Sequence, residues 1–239
     1  MGFGEQLGDC SLGLTSRLHV HDAGFVVTRR FRPHQRHHFT DVHELVSDTG
    51  IRFGWDRDLG SVRSQPYWRQ RLTMTNGTTL RLRLEGATTR TLARDFVSYG
   101  IRNDVEPSPA GELVSVIHER VGHAQLPAAC ATIRAGGSVT FGAFSASSAG
   151  LHHDTAGVLP WDRFDAFERT AGYATILPPV ATGAFCTAFT WVYRPPGRTY
   201  PGERQPRCWV AVPLVEVTNA ETLALLADEL KPATNDPQS

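Results

Sequence analysis

Short runs in which apolar and polar residues alternate dominate the first half of the chain. Arg17-Leu18-His19-Val20-His21 alternates at period two, which predicts a strand over residues 17–21. Asp22-Ala23-Gly24 supplies turn chemistry, and Phe25-Val26-Val27-Thr28 predicts a second strand. Residues 29–38 are polar and interrupted by Pro33, so they predict a loop; strands are expected over 39–46 and 51–58. The sharpest local signal follows. Residues 68–75 and 78–85 flank Asn76-Gly77, the dipeptide that suits a tight hairpin, and Leu80, Leu82 and Leu84 alternate with Arg81 and Arg83. Over residues 89–99 the spacing changes, placing Leu92, Phe96 and Tyr99 on one helical face. Several strands closed by one amphipathic helix is the expected unit.

Glu106-Pro107-Ser108-Pro109-Ala110-Gly111 then predicts a break. Residues 112–123 read as a helix with Leu113, Val116, Ile117 and Val121 apolar, and Pro127 as the start of a second, stopped at Gly136-Gly137. Further strands are predicted over 138–144, 161–167 and 173–177, with a long hairpin from 187–194 to 208–215. Thr218-Asn219-Ala220-Glu221 has capping-box spacing ahead of the stripe Leu223, Leu226, Leu230.

The second half echoes the first. Ala23-Gly24-Phe25 returns as Ala149-Gly150-Leu151, and Phe39-Thr40-Asp41-Val42 as Pro160-Trp161-Asp162-Arg163, which aligns Asp41 with Asp162. The segments Leu126-Pro127-Ala128-Ala129, Arg134 to Gly142 and Leu159-Pro160-Trp161-Asp162 resemble a group of bacterial proteins of unknown function built from tandem pleckstrin-homology-like (PH-like) units. The resemblance covers most of the chain, best from Leu126 to Leu230, and brings no catalytic residues with it. It implies an α+β, β-rich fold: two PH-like units, each an antiparallel barrel or sandwich closed by a C-terminal helix, joined by a helical linker. The expected bounds are 1–105 for the first unit with its loose lead-in, 106–136 for the linker, 137–231 for the second unit and 232–239 for a flexible tail.

Composition bounds the function. With 41% hydrophobic and 20% charged residues, the 239-residue chain belongs to the globular class, and its zero formal charge gives no general attraction to nucleic acid. Residues 1–105 hold 15 arginines against 11 acids, leaving 9 bases against 13 acids of the chain's 24 and 24. The halves thus carry opposite charge of four units, and Lys231 is the sole lysine. Cys10, Cys130, Cys186 and Cys208 make no Cys-x-x-Cys pair, so neither a disulfide framework nor zinc is expected. The first ten residues lack a signal-peptide pattern, and no apolar run approaches the ~18 residues of a membrane span. A soluble, cytoplasmic protein is expected, with peripheral membrane attachment as the alternative.

Candidate chemistry centres on the predicted loop after the second strand. Arg29, Arg30, Arg32 and Arg36, with His37 and His38, form the densest cationic stretch, and guanidinium forks suit phosphate and carboxylate alike. They are the candidate binding residues, for a protein or peptide partner or for an anionic lipid headgroup. His19, His21, His43 and His152 are the histidines that a metal-dependent enzyme would have to gather. Gly-x-Ser-x-Gly, the phosphate-loop signature and His-Glu-x-x-His are absent. The expectation is a non-enzymatic binding or scaffolding protein, without cofactor or metal, monomeric or homodimeric.

Overall fold

The computed structural model describes residues 3–12, 15–56, 61–86, 88–92, 109–164, 166–170, 173–177 and 209–231. The chain forms two compact units, Met1–Ala124 and Gln125–Ser239. Both are β-rich and antiparallel, and among the described residues no sheet closes into a barrel.

In the first unit, β1 (Gln6–Ser11), β2 (Ser16–His21), β3 (Gly24–Arg29) and β4 (Arg32–His38) make a four-stranded meander. Leu18, Val20, Phe25 and Val27 are fully buried on its inner face. A 3-10 turn, Phe39–Asp41, leads to the long β5 (Val42–Asp56), which pairs with β6 (Ser61–Met74) along its whole length. β7 (Thr79–Glu85) follows through the Asn76-Gly77 turn, where Gly77 has φ +80° and the Asn76 side chain accepts from the Thr78 N–H. Leu80, Leu82 and Leu84 point inward as the alternation predicts, each burial being worth about 1.5–3 kcal/mol.

Several elements differ from the sequence reading. The expected loop over 29–38 is largely strand: β4 is polar on its exposed positions and is held by backbone pairing to β3 rather than by apolar burial. The predicted strands at 39–46 and 51–58 are one strand entered through a 3-10 turn. Thr89–Leu92 is not the start of a helix but β8, paired with Ser61–Ser64 of β6, because an available sheet edge outweighs helical spacing in so short a segment. Residues 93–108 lie outside the described ones.

What closes the first core is α1 (Pro109–Arg134), from which Leu113, Val114, Ile117 and Val121 are buried against both sheets' apolar residues. The expected pair of helices is this single one. Pro127 sits inside it and removes one N–H, a defect of about 3 kcal/mol in a free helix. Burial of Ala129, Cys130 and Ile133 just beyond it offsets that cost. The helix stops as predicted, with Gly136 at φ +82° and its N–H, with that of Gly137, returning to the carbonyls of Ile133 and Thr132.

The second unit also runs through a meander, a 3-10 turn, a second sheet and a helix, with three described strands in its second sheet against four in the first unit. β9 (Val139–Phe141), β10 (Phe144–Ser147), β11 (Gly150–His153) and β12 (Gly157–Leu159) form a meander, the 3-10 turn Trp161–Arg163 follows, and β13 (Ala166–Thr170), β14 (Tyr173–Leu177) and β15 (Val210–Pro213) form a second sheet. After a 3-10 turn, Leu214–Glu216, α2 (Ala220–Leu230) packs Leu223, Leu226 and Ala227 into the core. The expected 161–167 strand therefore begins as a 3-10 turn. The capping box does not form: the N-cap is Asn219, left-handed at φ 49°, without a side-chain cap bond. The Thr222 hydroxyl instead donates to the Gln125 side-chain oxygen at 2.7 Å. The predicted strand 187–194, its loop to 207, Cys186, Cys208 and the tail 232–239 lie outside the described residues.

Two devices recur at matching places. Gly24 opens β3 and Gly150 opens β11, and at each a Cβ would run into a carbonyl oxygen of the following strand, that of His37 or Leu159. Two residues after that carbonyl comes a buried aromatic, Phe39 or Trp161. The repeated position in the turn is thus the aromatic. Asp41 is the third residue of its turn and Asp162 the second, so the alignment of the two aspartates is off by one.

Candidate functional site

The cationic stretch of the sequence is a hairpin, and its register decides what each residue can do. Phe25 lies opposite His37, Val27 opposite Gln35, and Arg29 opposite Arg32 after a register shift. Cross-strand partners share a face, so His37 and Gln35 lie on the side of the buried Phe25 and Val27, while Arg36, opposite Val26, lies on the other. Adjacent His38 stacks on Phe3 at 4.6 Å, and its backbone N–H donates to the Asp41 carboxylate at 3.1 Å. Arg30 and Phe31 form the tip. Phe31 is 89% exposed, with the Arg30 guanidinium 5.2 Å from its ring centroid. The six candidate residues therefore do not make one patch. Arg29 and His37 go one way, Arg36 another, and Arg30 and Arg32 sit at or beside the exposed tip.

Arg29, Gln35 and His37 face a cleft of about 590 Å³ whose remaining lining comes from the second sheet of the same unit. That lining consists of Arg71 and Thr73 from β6, with Thr78, Thr79, the buried Leu80 and Arg81 where the hairpin turns into β7. Arg71 and Arg81 are direct cross-strand partners, as are Thr73 and Thr79. Like charges so placed repel, at a cost of a few tenths of a kcal/mol to about 1 kcal/mol. Glu44 on β5 relieves part of this: one carboxylate oxygen lies 3.5 Å from Arg71 and the other accepts from the Thr73 hydroxyl at 3.1 Å. Arg29 and Arg81 have no acidic partner among the described residues. Burial holds the His37 imidazole below its ordinary pKa, with Asp41 acting weakly in the opposite sense, and its Nε2 has no protein partner. The ring is accordingly neutral near pH 7, and the cleft's positive charge belongs to the arginines.

A second polar cluster lies in the core of this unit. Ser47 of β5, Gln70 of β6 and His118 of α1 are each at most 5% exposed. The Ser47 Oγ is 2.5 Å from the Gln70 Oε1 and 2.7 Å from the His118 Nε2, which is 2.9 Å from the same Oε1. The shortest contact suits O–H···O and is too short for an amide N–H donor, which fixes the amide oxygen in the triangle. That oxygen can only accept, so the Ser47 hydroxyl donates to it and the His118 Nε2 carries a proton. A serine–histidine pair at this distance looks like a nucleophile with its base. Here the histidine nitrogen has no lone pair to offer, so the hydroxyl is not activated.

Comparison with protein-family models, with curated proteins and with solved structures finds no match to this chain. The chemistry must therefore be read from its own residues. Among the described residues, no three of His, Cys, Asp or Glu converge as metal ligands. Of the histidines of the metal-enzyme reading, His19 has its Nε2 3.5 Å from the Thr28 hydroxyl, His21 lies beside Phe3, and His152 is 3.9 Å from Asp154. The two described cysteines, Cys10 and Cys130, are free thiols. Burial, reinforced by Asp9 and opposed by Arg17, pushes the Cys10 thiol up to about 11. No helix among the described residues is long and apolar enough to cross a membrane.

Sequence reasoning missed Arg71, Arg81, Thr78 and Thr79 as partners of Arg29. The available signal was the run Leu80-Arg81-Leu82-Arg83-Leu84, whose alternation puts its arginines on the face opposite the buried leucines. It also missed His118, placed in the sequence only as a member of the linker.

Proposed function

We propose that the chain is a non-catalytic binding protein built from two PH-like units, and that the first unit carries the recognition surface. The repeated element order, with its matched glycines and turn aromatics, supports the duplication. One observation carries the functional reading: Phe31 stands 89% exposed at the tip of a hairpin that also bears Arg29, Arg30, Arg32 and Arg36. A large aromatic held in water costs apolar hydration and adds nothing to the buried core, and aromatics flanked by arginine are the usual anchors of protein interfaces. The matching turn of the second unit, between β11 and β12, has Asp154, Thr155 and Ala156 instead, so the two units are not equivalent as binding surfaces.

The same tip favours a second reading, attachment to an anionic membrane, because an aromatic flanked by cations also suits the headgroup layer. Capture from native lysate, with wild type beside Phe31→Ala and beside an Arg30→Ser, Arg32→Ser double variant, tests the first reading. A protein retained by wild type and lost by both variants is expected. Flotation with vesicles containing phosphatidylserine, repeated from 50 to 300 mM salt, tests the second. Vesicle binding that falls steeply with salt, with no protein partner recovered, would replace protein recognition by membrane attachment. Equal capture by all three proteins would remove the hairpin tip from the function altogether.

A further inference from the structure

From the geometry of the cleft we infer that the first unit binds the dianionic phosphate group of a soluble phosphate monoester, held by Arg29 and Arg81 and assisted by the hydroxyls of Thr78 and Thr79. The inference rests on reading this unit as a binding module, but uses residues of the cleft and not the Phe31 tip.

Three observations carry it. First, the charge is arranged against its own repulsion. Arg71 and Arg81 are opposed across the β6–β7 ladder, Arg29 joins them from the other sheet, and the cleft walls contain no acid. Glu44 engages Arg71 from the neighbouring strand and leaves Arg29 and Arg81 without an acidic partner among the described residues. Two uncompensated guanidinium groups match the two charges of a phosphate monoester near neutral pH better than the single charge of a carboxylate.

Second, the donors are of two kinds. The forked N–H groups come from separate sheets, and beside Arg81 stand the hydroxyls of Thr78 and Thr79, neither of which bonds a described residue. A phosphate offers three acceptor oxygens, which suits a lining that presents forked N–H groups and hydroxyls together. The Thr73 hydroxyl already donates to Glu44 and is not counted.

Third, a cleft of about 590 Å³ exceeds a phosphate ion several times over. It leaves room for the organic remainder of a small molecule, with the half-buried Gln35 amide to meet a polar substituent.

Calorimetric titration of the full chain at constant ionic strength tests this, using glycerol 3-phosphate, inorganic phosphate and acetate as probes. Glycerol 3-phosphate and phosphate are expected to bind, and acetate at least about tenfold more weakly. Arg29→Gln and Arg81→Gln should each weaken binding about tenfold, the size of one lost charge-assisted contact. Arg83→Gln, which removes the same charge from the same strand outside the cleft, should change it by less than about twofold. Acetate binding as tightly as phosphate, or Arg83→Gln weakening binding as much as Arg81→Gln, would reduce the site to general electrostatics and overturn the inference. So would binding to vesicles carrying phosphorylated inositol lipid with none to the soluble esters. Phe31→Ala separates the two readings, since it should abolish partner capture and leave the titration unchanged.

Discussion

Replacing Ser47 by Ala and His118 by Leu together strands Gln70 in the core, and a third substitution should rescue the protein. In the wild type the Gln70 Oε1 accepts from the Ser47 hydroxyl and the His118 imidazole, while its buried Nε2 already lacks a partner. The double variant removes both donors, leaving a whole amide in a site at most 5% exposed. An unsatisfied buried acceptor costs about 1–3 kcal/mol and the change of shape about 1 kcal/mol more, so a loss of roughly 3 kcal/mol is expected. Adding Gln70→Met removes the stranded oxygen and the orphan nitrogen at nearly constant volume. The triple variant should recover about 2 kcal/mol and stand within about 1 kcal/mol of wild type. Amide hydrogen exchange over β5 and β6 is the assay, because it reads opening within this unit when a chain of two units need not unfold in one step. Recovery of 2 kcal/mol slows exchange about 30-fold relative to the double variant. A triple variant that exchanges as fast as the double, or faster, would show that the triangle is not where the energy lies.

Other outcomes follow from separate parts of the fold. Gly24→Ala and Gly150→Ala should each cost at least about 1–3 kcal/mol, since both force a methyl against a backbone carbonyl. Gly150, at φ +141°, should lose more; thermal melts that leave either variant unchanged would contradict the matched role of the two glycines. Leu82→Ala should cost about 2–5 kcal/mol, against less than about 0.5 kcal/mol for the outward Arg83→Gln at the next position of the strand. With its thiol near 11 instead of 9, Cys10 carries roughly a hundredth of the usual thiolate at pH 8. Its alkylation by iodoacetamide, followed by peptide mass spectrometry, should be slowed accordingly and recover in urea. Because the folded state disfavours protonated His37, stability should fall as pH drops from about 6.5, and His37→Gln should flatten that fall in pH-dependent melts.

What could be read in advance was whatever local chemistry decides. Asn76-Gly77 and the Leu80, Leu82, Leu84 alternation fixed one hairpin and its buried face, and the leucines of α2 announced their stripe. β4 was hidden because its side chains are polar apart from Pro33, and its conformation is imposed by pairing with β3. Thr89–Leu92 was misjudged because its helical spacing was judged without the free length of β6 beside it. The same distinction governs the site. Arg29 and His37 are conspicuous in a cationic run, but only the packing of two sheets brings Arg71 and Arg81 to them. Ser47, Gln70 and His118 are separated by 23 and 48 positions, beyond any motif.

One continuous helix supplies buried residues to the cores of both units, Leu113 to Val121 for the first and Ala129 to Ile133 for the second. That makes the chain poor material for shuffling. A fragment ending near 105 would forfeit the apolar strip that seals its own sheets, and a cut after Ala124 would leave each half with a raw helix terminus. Any recombination that parted the two units would have to restore a closing helix in the same step, so two units joined in this way are easier to keep together than to separate.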